Sequence, residues 1–478
     1  GYEMRMSHMD TKGRFDYYAI NLALGTKMIK YHFRTVGQYR LYYNVFGASE
    51  HFSEEWEFEF TPGFKTPDWA KGAVMYQIMV DRFNNGDKSN DVMTNEYAYI
   101  GRGVSKVENW MEPPAVDGTR QFYGGDLQGV IDKLEYLEKL GVEVIYFNPI
   151  FVSPSNHKYD TQDYDYIDPH FGKIVNDNGK LLKDGDNNNE HAQRYKVRTT
   201  DLANLEASNK LFVELVEKAH AHGIKIIIDG VFNHLYFKFL EDRWPDNNSF
   251  EGWWGFDTLP KLNYEGSKEL CDYIIEVGKK WVSPPYNVDG WRLDVAADLG
   301  HSQEFNHEFW KKFRKAVKEA NPEAIILAEH YGDANSWLQG DQWDTIMNYD
   351  GFMDPVTWFL TGVDKHSDNS NPGMRGDAGT FKLTMQYQMS RMQNQSLLVA
   401  MNELSNHDHS RFLTRTNRMV GRVGTAGTAA ASQDIDEAIF KQGVVMQMTL
   451  PGAPTLYYGD EAGVCGWTDP DNRRTYPW

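Results

Sequence analysis

After residue 67 the chain alternates short apolar runs, rich in β-branched and aromatic residues, with longer stretches of helical spacing. The apolar runs are VMYQIMVDRF (74–83), GVEVIYFNPIF (141–151), IKIIIDGVFNH (224–234), VDGWRLDVA (288–296), AIILAEH (324–330), TIMNYD (345–350), ELSNHD (403–408) and APTLYYGDE (453–461). In DLQGVIDKLEYLEKLG, Leu127, Val130, Leu134, Leu137 and Leu140 recur on one helical face before Gly141 stops the helix. Similar patterns run through 207–222, 267–281, 306–320 and 435–449. Strands alternating with crossover helices make a parallel sheet, and eight of them close a barrel, so the prediction is an α/β fold, a (β/α)8 TIM barrel spanning 63–478.

Two stretches break the alternation. Residues 172–200, rich in Asn, Asp, Gly and Lys, read as a solvated excursion after the second strand, with the acidic run DGDNNNE (184–190) as its exposed tip. Residues 235–264 carry Trp244, Trp253, Trp254 and Tyr264 with little periodicity and follow the third strand. They read as a small inserted domain whose aromatic residues wall a ligand cleft. Ahead of the barrel, residues 1–62 hold aromatic-rich runs (FDYYAINL, KYHFRT, QYRLYYNVF, EEWEFEF) broken by Gly, Asn and Ser, which predicts antiparallel strands of a partial N-terminal β-sandwich.

Composition narrows the partners. The 478 residues are 41% apolar and carry a net charge of −19, with no Lys/Arg cluster to neutralise a run of phosphates, which argues against nucleic acid and an anionic membrane as partners. No apolar stretch reaches the roughly 20 residues of a membrane helix, and the first residues are too polar for a secretory signal, so a cytoplasmic location is expected. Cys271 and Cys465 lie far apart with no His at ligand spacing, which predicts free thiols. The chain opens inside an apparent strand and stops soon after the eighth, so the natural product is expected to be longer at both ends.

The chemistry gathers where strands run into the following loops. The third run ends in Asp229, Asn233 and His234; the fourth carries Arg292 and Asp294, two apart and so on one face; the fifth ends in Glu329 and His330; the seventh ends in Asn406, His407 and Asp408. An isolated Asp at such an end is more often a helix cap. Several acids delivered to one rim by apolar strands is a costlier arrangement and points to function. Cleavage of a glycosidic bond needs two carboxyl groups in different protonation states. Arg292 beside Asp294 favours an ionised nucleophile there; Glu329, facing acids without a cation of its own, suits the acid/base. Spacing alone does not settle that choice.

DGVFNH, GWRLDVA, AEH and SNHD, in that order, resemble the four signature regions of the α-amylase family of glycoside hydrolases, and MYQIMVDRF, FYGGDLQG, NHKYDTQDYDYIDPHFG and LPGAPTLYYGDE add to the likeness over residues 74–478. The resemblance implies Asp294 as nucleophile, Glu329 as acid/base and Asp408 as the residue that holds the distorted sugar. It implies that Arg292 orients the nucleophile and Asp229 supports Arg292. His234 and His407 would bond the sugar hydroxyls, Tyr159 would stack on the ring, and His330 would shape the acceptor side. LPKLNY (259–264) resembles the marker of the neopullulanase, cyclomaltodextrinase and maltogenic amylase branch, which acts on cyclodextrins, pullulan and maltodextrins and forms homodimers through an N-terminal β domain. On that resemblance 235–264 is domain B, 1–62 is the second half of the N-terminal domain, and a C-terminal β domain is missing. A general α-amylase or a 4-α-glucanotransferase on the same scaffold stays open, as does, more remotely, a non-catalytic glycan-binding or transporter accessory protein.

DRFNNGDKSND places Asn85, Asp87, Asn90 and Asp91 at a spacing that lets hard oxygen ligands wrap one cation, or equally forms a solvated turn. Resemblance favours a structural Ca2+, completed by the Gly124 carbonyl and Asp126.

Overall fold

Eight short parallel strands, β1 (Met75–Ile78), β2 (Val144–Phe147), β3 (Lys225–Gly230), β4 (Gly290–Leu293), β5 (Ile325–Ala328), β6 (Thr345–Ile346), β7 (Met401–Glu403) and β8 (Ala453–Tyr457), form one sheet in the order β6-β5-β4-β3-β2-β1-β8-β7. A parallel bridge between Met347 and Met401 joins β6 to β7, so the sheet closes into the expected barrel. Seven of the strands lie within the apolar runs expected for them and are shorter than those runs. The seventh differs from expectation: strand β7 ends at Glu403, where the expected run begins, and SNHD lies in the loop after it.

This computed structural model describes residues 2–37, 39–235, 251–253 and 256–478. They divide into two compact units, Gly1–Phe64 and Lys65–Trp478. The first unit pairs Ser7–Lys12 with Phe15–Ala19, Ile29–Tyr31 with Phe58–Phe60, and Phe33–Val36, Arg40–Asn44 and Gly47–Ser49 with one another, all antiparallel.

In the second unit the alternation along each strand sorts side chains into two cores. Met75, Val144, Tyr146, Ile227, Ile325, Leu327 and Met401 fill one cluster, inside the barrel. Ile145, Phe147, Ile226, Ile228, Trp291 and Ile326 turn the other way and pack under the helices. The helices of this unit include α1 (Leu134–Leu140), α2 (Leu202–Ala221), α3 (Lys268–Val282) and α4 (Gln303–Ala320), which share that core, and α5 (Asp354–Thr361), α6 (Ala378–Ser390) and α7 (Glu437–Thr449), which pack round a separate one. Strands buried on both faces read as unbroken apolar runs, which is why they stood out in the sequence. Among the described residues no helix is long and apolar enough to cross a membrane. Cys271 and Cys465 are free thiols.

The excursion at 172–200 differs from expectation. Leu182 and Ala192 are buried with Val92, Tyr97, Tyr99, Val104 and Phe122, and Tyr195, in the helix Gln193–Thr200, stacks on Tyr97 at 4.0 Å. Arg198 pairs with buried Glu96 at 2.9 Å. The segment is a polar-looking lid over a small satellite core, and its apolar anchors are too few and too far apart to show a period. Of the inserted stretch, Glu251–Trp253 and Phe256–Lys261 form an antiparallel hairpin. Trp244 and Trp254 lie outside the described residues, and Tyr264 is a core residue against Phe309 rather than a cleft wall.

Candidate active site

Asp229 on β3 and Arg292 on β4 are register partners. One step past β4 and β5 the ladder continues: the Asp294 amide donates to the Gly230 carbonyl (3.1 Å) and the Glu329 amide to the Leu293 carbonyl (2.8 Å), so Asp294 and Glu329 stand on neighbouring strand ends. The buried Arg292 guanidinium gathers the three acids. Its Nη1 donates to Asp294 Oδ1 at 2.8 Å and to both Asp229 oxygens at 3.0 and 3.1 Å, while its Nη2 lies 3.0 Å from Glu329 Oε2. This corrects one step of the sequence argument: Glu329 does not lack a cation, because it shares that of Asp294.

Burial sets the ionisation here. It pushes Asp294 well above the ordinary aspartate value, and Arg292 only partly offsets it against the added charge of Glu329 and Asp229. Asp229, equally buried, is pushed up to about 6 in spite of Arg292 and the hydroxyls of Tyr146 and Tyr159. The expectation that Arg292 keeps Asp294 easily ionised therefore fails for the free protein, since desolvating a carboxylate outweighs one shared guanidinium.

Immediately after Asp294, Val295 adopts φ +35°, a left-handed conformation that costs a β-branched residue roughly 1–2 kcal/mol. That turn aims the Val295 amide at Glu329 Oε2, 3.0 Å away. Strain of this kind collects where a structure must aim a group.

The opposite wall comes from the loops after β2 and β7. Tyr159 Oη donates to Asp229 Oδ2 (2.9 Å) and accepts from Asn148 (2.9 Å), and its ring stacks on His407 at 5.2 Å with 7° between planes. Gln77 on β1 donates to His407 Nδ1 (2.9 Å), which leaves the ring proton on Nε2, 2.7 Å from Tyr159 Oη. Burial holds His407 well below its usual value and His234 down at about 3, so both are neutral donors. His234 Nε2 lies 3.8 Å from Asp294 Oδ2. Asp408, with a 37% exposed side chain, is the most open of these acids, flanked by His407 (3.4 Å) and Arg473 (3.3 Å).

His330 turns away from this cluster and packs on Trp337 and Trp343 at 4.9 and 5.9 Å. Its neighbour Tyr331 is the exposed ring, set against Tyr349. Four contributors escaped the sequence reading. Arg473 arrives from beyond β8, Tyr146 from the barrel interior, and Tyr349, from a π-helical turn, places its hydroxyl 3.5 Å from Glu329 Oε1. The fourth is Glu403 at the end of β7, whose Oε2 accepts from Asn406 (3.0 Å) and whose carboxyl is pushed up to about 8 by burial. An acid inside an apolar run was the available signal for Glu403; Arg473 had none.

The loop after β1 brings the six expected metal ligands near one another; the carboxylate oxygens among them are already hydrogen-bonded, while Asn85 Oδ1 and Asn90 Oδ1 are buried without a partner. Asp126 caps the helix Leu127–Ile131 and accepts from the amides of Gly86, Asp87 and Gly129 and from Asn90. Asp87 accepts from Ser89 and Lys173. Asp91 takes Asn85 Nδ2 at 2.8 Å and Lys106 Nζ at 2.7 Å, and the same ammonium donates to the Tyr123 carbonyl at 2.8 Å. A Cβ on Gly124 would stand 2.3 Å from that nitrogen. An ammonium thus stands among the groups expected to hold Ca2+.

Acids clustered round one arginine at the carboxyl ends of barrel strands, opposite neutral histidines and a tyrosine, define a glycoside hydrolase site. The model described as "Alpha amylase, catalytic domain" matches residues 77–189 and 235–476, and the chain belongs to the alpha-amylase family of glycoside hydrolases, in the branch that holds cyclomaltodextrinase and neopullulanase. It is 36% identical to a cyclomaltodextrinase of Thermoanaerobacter pseudethanolicus, over 98% of this chain and 72% of that one. It is also 36% identical to neopullulanase 2 of Thermoactinomyces vulgaris, over 97% and 70%. Among solved structures the type III pullulan hydrolase from Thermococcus kodakarensis superposes with a TM-score of 0.67 at 27% identity, covering 95% of this chain and 74% of that one.

Proposed function

We propose that this enzyme hydrolyses α-1,4 and also α-1,6 glucosidic bonds of cyclodextrins, pullulan and maltodextrins with retention of configuration. The observation that carries the chemistry is the single Arg292 guanidinium shared by Asp229, Asp294 and Glu329. Asp294 and Glu329 end adjacent parallel strands, whose spacing of about 4.8 Å favours the ~5–5.5 Å carboxyl separation of retaining enzymes over the wider gap of inverting ones. The names of the relatives above support the substrate range.

In this reading Asp294 attacks the anomeric carbon and forms a glycosyl ester as Glu329 passes its proton to the departing oxygen. Glu329 then takes a proton from water, which opens the ester. Asp408, the most exposed acid, binds hydroxyls of the sugar being cleaved, together with His407 and His234. Substrate entering this cleft displaces water from Asp294, and Arg292 then supplies the compensating charge at the attacking oxygen.

Initial rates on β-cyclodextrin, pullulan and soluble starch, with the anomeric form of the first product read by NMR, test the proposal. Preference for cyclodextrin with an α product agrees with it; a β product contradicts retention, and preference for starch contradicts the substrate range. A homodimer through residues 1–62 and a cytoplasmic location belong to the same reading, on resemblance alone; sedimentation analysis and cell fractionation test them.

A further inference from the structure

We propose that Lys106 is the built-in cation of the loop after β1, so that its ammonium does there what a divalent ion would otherwise do and the fold needs no metal at this place. Four observations support this. First, the position is prepared: Ser105–Lys106 pairs in parallel with Gln121–Phe122, and Val104 and Phe122 anchor the two segments in the satellite core, so Lys106 is delivered beside Tyr123 and Gly124 by backbone pairing rather than by a free side-chain swing.

Second, the ammonium makes the contacts of a bound cation. It bonds a carboxylate, Asp91 Oδ2 at 2.7 Å, and a main-chain carbonyl, that of Tyr123 at 2.8 Å, and both side chains of the ion pair are only 15% and 17% exposed. Third, the space is reserved for it. Gly124 has φ +89°, and any Cβ there would fall 2.2 Å from Asp91 Oδ1 and 2.3 Å from Lys106 Nζ. Fourth, the remaining carboxylates hold other partners: all the donors to Asp126 are N–H groups of the loop and of the helix it caps, and Asp87 is held by Lys173 at 2.7 Å. A divalent ion entering here would sit against the Lys106 ammonium, and like charges at contact distance exclude each other.

The lock also bears on the cleft. The Tyr123 and Gly124 amides donate to Asp81, which pairs with Arg82 at 2.7 Å, and Arg82 Nη1 donates to the Arg473 carbonyl at 2.6 Å; Arg473 in turn flanks Asp408. Lys106 is a positioning residue several contacts from the reacting atoms.

The test is thermal unfolding of the intact 478-residue chain and of Lys106→Met, each in EDTA and in millimolar CaCl2, with bound metal measured by elemental analysis. Wild type is expected to carry no stoichiometric calcium and to unfold at the same temperature in both solutions. Lys106→Met strands Asp91, and breaking a buried pair from one side lowers the midpoint by about 4–6 °C in EDTA. In CaCl2 the variant should recover at least half of that loss, because the oxygens vacated by the ammonium are hard ligands. Stoichiometric calcium in wild type, or a midpoint lowered by EDTA, overturns the proposal even if the variant does not fold. A variant as stable as wild type in EDTA, or destabilised with no recovery in calcium, also overturns it, the second outcome leaving Lys106 as an ordinary ion-pair partner.

Discussion

Replacing Glu403 by Gln keeps the shape of the side chain and removes the charge that the barrel interior tolerates least. Glu403 is 1% exposed, one oxygen accepts from Asn406, and the other has no hydrogen-bond partner. Burial carries its carboxyl from an ordinary glutamate value of 4.5 to about 8. The folded protein therefore holds this proton across a pH range in which the unfolded chain has released it. Stability from this group is fully present below about pH 4.5, falls as pH rises through the interval and is gone above about pH 8. At about 1.4 kcal/mol per tenfold change, the loss is on the order of 5 kcal/mol. For a unit of roughly 400 residues, with about 2 cal/mol/K of unfolding entropy per residue, that is a shift near 5–6 °C. Glu403→Gln escapes the loss. Any extra cost of the amide's additional donor is independent of pH, so the quantity to read is how the difference between variant and wild type changes with pH. Scanning calorimetry at pH 5, 7 and 9 should show the variant gaining several degrees on wild type from pH 5 to pH 9. A constant difference, or a gain in the opposite direction, refutes the claim that burial keeps Glu403 protonated.

Three further outcomes follow from the same site. Asp294→Asn and Glu329→Gln should each lower kcat on β-cyclodextrin by at least about 10³-fold while shifting the unfolding midpoint by no more than a few degrees, since each keeps its shape beside Arg292; steady-state kinetics with circular dichroism checks this. Because burial raises Asp294, the acidic limb of kcat/KM should lie above the ordinary aspartate range, the rate falling as the pH drops through that value, and a limb at or below the ordinary value contradicts the assignment. Arg292→Met should cost about 3–5 kcal/mol in stability at neutral pH by leaving three buried acids without their cation, with part of the loss recovered as the pH is lowered and Asp229 and Asp294 protonate; urea titrations at pH 5 and pH 7.5 read both effects.

The strands of this fold were legible in the sequence because each must bury both faces. Ile226, Ile227 and Ile228 or Ile325, Ile326 and Leu327 leave no other reading, and the polar residue that ends each run is the rim itself. The same logic made Asp229, Asp294 and Glu329 visible, since an acid at the end of an apolar strand is expensive unless it is used. What the linear order could not carry was pairing across distance. That Arg292 serves Glu329 as well as Asp294 depends on β4 and β5 lying side by side; that Arg473 reaches Asp408 depends on closure of the barrel; that Leu182 and Ala192 are core depends on the 92–122 segment folding beneath them.

Lys106 shows the difference most plainly. Local spacing marks out DRFNNGDKSND as a place for a cation, and that much is a property of the chain, because oxygens one or two residues apart in a turn converge whatever surrounds them. Which cation stands there is decided fifteen residues away, by a two-residue strand pairing that swings an ammonium against Asp91. Spacing determines where charges can meet along a chain; only packing determines which of them do, because an interaction energy falls with distance in space and knows nothing of distance in sequence.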